Sequence, residues 1–215
     1  MNNYIDEHKE KIQITPGGKL CQVFGKNEKA SCSVALVNMD QNSKGIKHYH
    51  DNITEIYIFI KGKGKIIINE NENEISNGDC YIIPPNNIHY IKSETIMNFI
   101  CICTPPWEEK HEFEAKNNVN GNNIIKYNKL GVIEKLSKEN NHCIKRIKLN
   151  KEELYINNIN EYTRVYCIIN GSGIIKNNDE YLKVKTGDCI RLDDENEIIK
   201  TDSSIEFILI CDRLF

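Results

Sequence analysis

Apolar residues in this chain gather in short runs or alternate with polar ones, and almost nowhere recur at helical spacing. Glu55 to Ile60, Lys65 to Ile68 and Met97 to Cys103 are rich in Ile, Tyr, Phe and Cys. Each such run is closed by Gly, Asn, Asp or Pro. Runs of roughly four to eight residues with β-branched and aromatic side chains suit a half-buried pleated surface. One stretch differs: Leu130 to Glu139 places Leu130, Ile133 and Leu136 three apart, which predicts a short helix. The expected class is all-β, with turn signals frequent enough for a sandwich or barrel.

The runs repeat over a long period. Ile60-Lys61-Gly62-Lys63-Gly64, followed by Gly78-Asp79-Cys80, recurs as Ile169-Asn170-Gly171-Ser172-Gly173, followed by Gly187-Asp188-Cys189, with one offset of 109 residues. Each copy reads as strand, glycine turn, strand, polar stretch and a Gly-Asp turn into a further strand, the glycines providing positive φ at low cost. Such self-similarity predicts two domains of like fold. Lys110 to Asn123 is polar, asparagine-rich and without apolar period, so it reads as a connection. The expected division is a first domain over residues 1–110, a linker over 111–123 and a second domain over 124–215.

Composition narrows the class of protein. At 215 residues, 40% hydrophobic and 27% charged, the chain is long enough for two cores of about 100 residues each. A net charge of -3, with lysines scattered among glutamates, argues against nucleic acid as a partner. No run approaches the roughly 18 apolar residues that a membrane helix needs, and the start lacks the pattern of a secretory signal, so a cytoplasmic location is expected. Nine cysteines are an odd number with no Cys-x-x-Cys pair, which reads as buried thiols in a reducing compartment.

Three of the six histidines fall into one arrangement: His48-x-His50, then Glu55, then His89 after Pro84-Pro85. On a strand, residues i and i+2 share a face, so His48 and His50 project together while Tyr49 faces away. Three imidazoles and one carboxylate suit a single divalent iron, manganese, nickel, copper or zinc ion, and four protein ligands leave coordination positions open for a small molecule. Taken one at a time, each histidine would more simply be a strand residue satisfied by local hydrogen bonds. It is their grouping that points to a cation.

These residues resemble the two motifs of the cupin superfamily. His48, His50, Glu55 and Gly62 stand where its first motif has His-x-His, Glu and Gly. Gly78, Pro84 and His89 stand where its second motif has Gly, Pro and His. Asn42 replaces the first motif's opening Gly, and Asn86 and Ser93 replace the second motif's Gly and Asn. These departures touch turns, where Asn tolerates left-handed backbone. The resemblance covers residues 12 to 109 and extends more weakly to 124 to 215. It implies two double-stranded β-helix barrels in tandem, joined by short helical connections, with the metal inside the first. It leaves the reaction open, because the superfamily spans dioxygenases, isomerases, lyases, decarboxylases and binding proteins.

Carried across by the 109-residue offset, the four positions become Asn157, Ile159, Arg164 and Ile198, which are not a ligand set, and His142 lies too far away. The second barrel is therefore expected to be metal-free, with Arg164 either gripping an anion or, more simply, paired with Glu161, Glu195 or Glu197. In the first copy, Tyr57 shares the strand face of Glu55 and could donate or accept a proton, although it is equally a good strand residue and Tyr166 is its counterpart. Glu55 itself, beyond holding metal, could move a proton. Cys101 and Cys103 share a face and read as small core residues, or as redox or soft-ligand groups. Trp107, after Pro105-Pro106, suits packing or a cap on the barrel mouth. Gly62 and Gly64 precede no helix and do not form a phosphate loop.

Three functions follow from these readings: a metal-dependent isomerase or lyase acting on a small oxygen-rich metabolite, a metal-dependent dioxygenase, or a non-catalytic module that binds a small molecule or carbohydrate. Exposed barrel edges also allow a homodimer.

Overall fold

The computed structural model describes residues 12–15, 17–24, 30–115, 125–127, 133–138, 142–156, 162–177, 180–192 and 197–213. The chain divides after Lys129 into two units. The first holds β1 (Ile12–Thr15), β2 (Gly18–Phe24), β3 (Ser33–Met39), β4 (His48–His50), β5 (Thr54–Lys61), β6 (Gly64–Ile68), β7 (Asn71–Ile75), β8 (Cys80–Ile83), β9 (His89–Ser93), β10 (Met97–Thr104), β11 (Glu112–Glu114) and β12 (Ile125–Tyr127). The second holds β13 (Ile133–Lys138), β14 (His142–Asn150), β15 (Glu153–Ile156), β16 (Tyr162–Asn177), β17 (Glu180–Lys185), β18 (Cys189–Leu192), β19 (Glu197–Lys200) and β20 (Ser204–Arg213). Among the described residues the only helical element is a single 3-10 turn, Glu109–His111, and no helix is long and apolar enough to cross a membrane.

In the first unit a seven-stranded sheet, ordered β1-β2-β3-β10-β5-β8-β12, packs with a five-stranded one, ordered β11-β4-β9-β6-β7. Residues of both sheets meet in one cluster that includes Phe59, Tyr81, Phe99, Ile66, Ile91 and Met97. Strand alternation explains the choice: in β9 every second residue, His89, Ile91 and Ser93, is buried. The second unit repeats the pairings. β14, β20, β18 and the first half of β16 take the places of β3, β10, β8 and β5, while the second half of β16 with β17 and β19 takes those of β6, β7 and β9. Its own cluster holds Tyr166, Phe207, Ile175, Ile199 and Leu149.

The glycine turn found in the sequence lies where β5 passes into β6. Gly62 has φ +107°, and a Cβ there would lie 2.6 Å from the Ile96 carbonyl oxygen; Gly171 has φ +83° and would press a Cβ against the Ser204 carbonyl. Both strain and collision act against a side chain, so Gly62→Ala and Gly171→Ala should each destabilise their unit by about 2 kcal/mol or more, read from urea unfolding midpoints. Asn42 and Asn86 take φ of 56° and 63°, the left-handed conformation expected where they replace glycine.

Three expectations need correction. Ile133 to Lys138 is strand β13, not helix; residues 130–132 and 139 lie outside the described residues. Leu136 is an extra residue in the β13–β14 ladder. The segment read as a linker is not one throughout, because β11 pairs with β4. Likewise β12, placed by the sequence in the second domain, pairs with β8 of the first. Backbone hydrogen bonding, which a polar composition does not reveal, extends the first unit past residue 110.

Candidate metal centre

His48 and His50 come from β4, Glu55 from β5 and His89 from β9, where His89 stands directly opposite His48. All three imidazoles reach the carboxylate, while His48, Glu55 and His89 bring ligand atoms within 4.8 Å of one another and His50 falls outside that group. Measured from Glu55 Oε2, His89 Nε2 is 2.5 Å away, His50 Nε2 3.3 Å and His48 Nε2 3.7 Å. His50, Glu55 and His89 are buried, and His48 is partly exposed.

The outer nitrogens explain why the inner ones face one point. His48 Nδ1 lies 2.9 Å from the Ile46 carbonyl, His50 Nδ1 3.1 Å from the His111 carbonyl and His89 Nδ1 2.9 Å from the Asn87 carbonyl. A carbonyl only accepts, so each Nδ1 donates its hydrogen outward and each neutral ring turns its Nε2 lone pair inward. Three lone pairs then surround a carboxylate, and His50 Nε2, although buried, has no hydrogen-bond partner. Groups that only accept do not satisfy one another; a cation or protons must sit among them. The residues therefore fit a bound transition-metal ion, with backbone carbonyls fixing the rings as outer partners do in metal sites.

Without a cation, protons fill that role. Burial alone would lower the His48 pKa, but Glu55 beside it raises it to about 9, and the same carboxylate raises that of His50. Burial and the neighbouring His48 hold His89 below its ordinary value. Glu55 would be pushed up by burial, yet the imidazoles of His50 and His89 hold its carboxyl well below the usual range. Tyr57 goes the other way: burial and then Glu55 push its phenol well above the usual tyrosine range. Its hydroxyl donates to Glu55 Oε2 at 3.2 Å and lies 3.2 Å from His89 Nε2. At neutral pH Tyr57 therefore keeps its proton and acts as a hydrogen-bond donor, and Glu55 is a carboxylate with no proton to give.

The centre opens into a cavity of about 250 Å³. Its walls are mostly apolar, with Leu20, Val34, Val37, Met39, Ile91 and Phe99 among them, and none of the described lining residues is Lys or Arg. Trp107 also lines it, with its Nε1 donating to Glu112 Oε2 at 2.6 Å. Cys101 and Cys103 form part of the inner wall beside the other oxygen of Glu55, at 3.4 Å and 3.6 Å from Oε1.

In the second unit, Arg164 stands on β16 opposite Leu192 as Glu55 stands on β5 opposite Ile83. Its guanidinium pairs with Glu197, with Nε 2.9 Å from Oε1 and 2.7 Å from Oε2, and Tyr166 donates to Glu197 Oε2 at 2.7 Å. This is the simpler of the two roles expected for Arg164. The counterpart of His89, however, is Glu197 and not Ile198. Glu197 faces Asn177 as His89 faces Ile68, so the repeat has lost one residue before β19. Asn157 and Ile159 lie outside the described residues, and the side chain of His142 is not described.

What the sequence did not reveal is the orienting shell. The carbonyls of Ile46, Asn87 and His111 carry no side-chain signal. His111 is a visible cue only in hindsight: its ring is tied to Asp51 Oδ1 at 2.8 Å and its carbonyl accepts from the Asp51 amide as well as facing His50.

Comparison with known proteins agrees with the fold. The cupin domain family matches residues 35–103. An uncharacterized protein of Methanocaldococcus jannaschii, MJ1618, is 29% identical over 87 residues, which are 40% of this chain and 68% of that protein. Among solved structures, a cupin 2 conserved barrel domain protein from Leptotrichia buccalis superposes with a TM-score of 0.67 at 16% identity, covering 90% of this chain and 88% of the other. The salicylate 1,2-dioxygenase of Pseudaminobacter salicylatoxidans does so with 0.66 at 11% identity, covering 85% and 71%.

Proposed function

Since this chain carries a cupin domain and has the cupin fold, we propose that it is a metal-dependent enzyme whose centre is formed by His48, His50, Glu55 and His89, acting on a small metabolite. The observation that carries this reading is the inward convergence of three Nε2 lone pairs on Glu55 Oε2, with every Nδ1 committed to a carbonyl. Bound there, a divalent transition-metal ion supplies Lewis acidity toward an oxygen of the metabolite. The chain's own groups do the rest. Apolar walls exclude water and hold the body of the ligand, and Tyr57 holds a hydroxyl hydrogen-bond donor within reach of the centre to orient and polarise the ligand. The expectation of an oxygen-rich metabolite narrows to one with oxygen donors at one end and an apolar body, because the described lining is mostly apolar.

The apolar lining also supports a second reading, an oxygen-consuming enzyme. Elemental analysis of the purified chain, paired with an oxygen electrode, separates the two. About one transition-metal ion per chain with no oxygen uptake fits the first reading; iron or copper with substrate-dependent uptake fits the second. A chain that holds no transition metal defeats both.

Cation binding must displace the protons on His48 and His50. At pH 7, about one to two protons should be released per cation, and affinity should rise as pH approaches about 9, the His48 value, and fall in acid. Calorimetry in buffers of differing ionisation enthalpy measures this; binding with no proton release would contradict the assignment. In the cation-free chain the sign is opposite for stability. Raised imidazole pKa values stabilise the fold fully below their ordinary range near 6.5, and that contribution is lost as pH climbs through about 9.

A further inference from the structure

Glu55 has two oxygens, and the histidines use one. The other, Oε1, faces a pair of thiols. Cys101 and Cys103 alternate on β10 and so share a face, with Cys103 directly opposite Glu55 and Cys101 opposite Tyr57 in the β5–β10 ladder. The resulting triangle has edges of 3.4 Å from Cys101 Sγ to Glu55 Oε1, 3.6 Å from Cys103 Sγ to the same oxygen, and 3.9 Å between the sulfurs. These lengths have a simple meaning. With metal–sulfur bonds of about 2.3 Å and metal–oxygen bonds of about 2.0 Å, a tetrahedral angle separates two sulfurs by about 3.8 Å and sulfur from oxygen by about 3.5 Å. The three atoms stand at the corners of such a face, and all three residues line the cavity, which gives an ion access.

We propose that Cys101, Cys103 and Glu55 Oε1 form a second cation site, for a thiophilic ion such as Zn²⁺, Cd²⁺ or Cu⁺, which shares Glu55 with the histidine site. Two thiolates select soft ions, whereas the three imidazoles accept a broader range. Binding expels the thiol protons to solvent, and the carboxylate bridges the two positions, so each occupant adjusts the charge the other meets. Because the histidine site uses Nε2 atoms and Oε2, the two sites are separable by mutation.

Cadmium is the probe. The reduced full-length chain, titrated with Cd²⁺, should bind two equivalents, one of them bringing sulfur-to-cadmium charge-transfer absorption in the ultraviolet. Cys101→Ser with Cys103→Ser should lose the absorption and one equivalent. His50→Ala with His89→Ala should keep the absorption and lose the other equivalent. No absorption at saturation, or its persistence in the double serine variant, overturns the second site. Such a result leaves the histidine centre intact, whereas absorption with a single equivalent that the histidine variants do not change would sink the centre instead. Should the double serine variant fail to fold, cadmium NMR of the wild-type chain decides: a resonance in the range of sulfur-coordinated cadmium supports the site, and nitrogen- and oxygen-coordinated signals alone overturn it.

Discussion

With Glu55 replaced by alanine, the purified chain is expected to retain less than about a tenth of the transition metal bound by the wild type, since loss of even an outer partner of a metal ligand costs roughly 10- to 100-fold in affinity. Glu55 has the largest effect among the four because it is the only anion and the point to which all three Nε2 atoms converge. Its loss also releases the protons that its charge holds on His48 and His50, and this easing of proton competition offsets only part of the lost ligand and its charge. Glu55→Gln should behave nearly alike, because it keeps the shape and removes the charge. Metal content by mass spectrometry, beside a thermal melt that shows the variant folded, is the check. Unchanged metal in a folded Glu55→Ala chain would mean that the four residues are ordinary strand side chains.

The second large effect belongs to the other unit. Arg164→Ala should destabilise it by about 3–5 kcal/mol, the usual cost of leaving one charge of a buried pair alone. Glu197 is 1% exposed, and the truncation would leave its carboxylate beside Arg164's empty place with the Tyr166 hydroxyl as its described donor. Replacing both Arg164 by Met and Glu197 by Leu should recover most of the loss, because an apolar pair of similar size needs no compensation in the interior. Urea unfolding followed by fluorescence and by circular dichroism measures both. Equal damage from the single and the double replacement would show that packing, and not charge, is at stake there.

Much of this was legible in the residues, for physical reasons that differ by element. His48 and His50 could be placed on one face because strand alternation is a rigid rule, Glu55 and His89 joined them through the motif resemblance, and the Gly-Asp turns marked where strands must reverse. Glu197 was missed in favour of Ile198 because one lost residue slides a strand by one step and turns every side chain to the other face, which a fixed offset cannot register. The helix expected around Ile133 failed because three apolar residues at spacing three are too few to fix a helical period, and the backbone there pairs with β14 instead. Strands β11 and β12 were hidden because short edge strands are held by backbone hydrogen bonds and need no apolar signature.

Strand β11 has one more consequence. His50 keeps its ring orientation through a carbonyl 61 positions further along the chain, delivered by the turn that leads into β11. A fragment cut at residue 103, where the family match stops, would keep all four side chains and lose the carbonyl that aims one of them. Minimal fragments of this protein should therefore run through Glu114 at least, and a poor yield of metal in anything shorter would report a lost aim rather than a lost ligand.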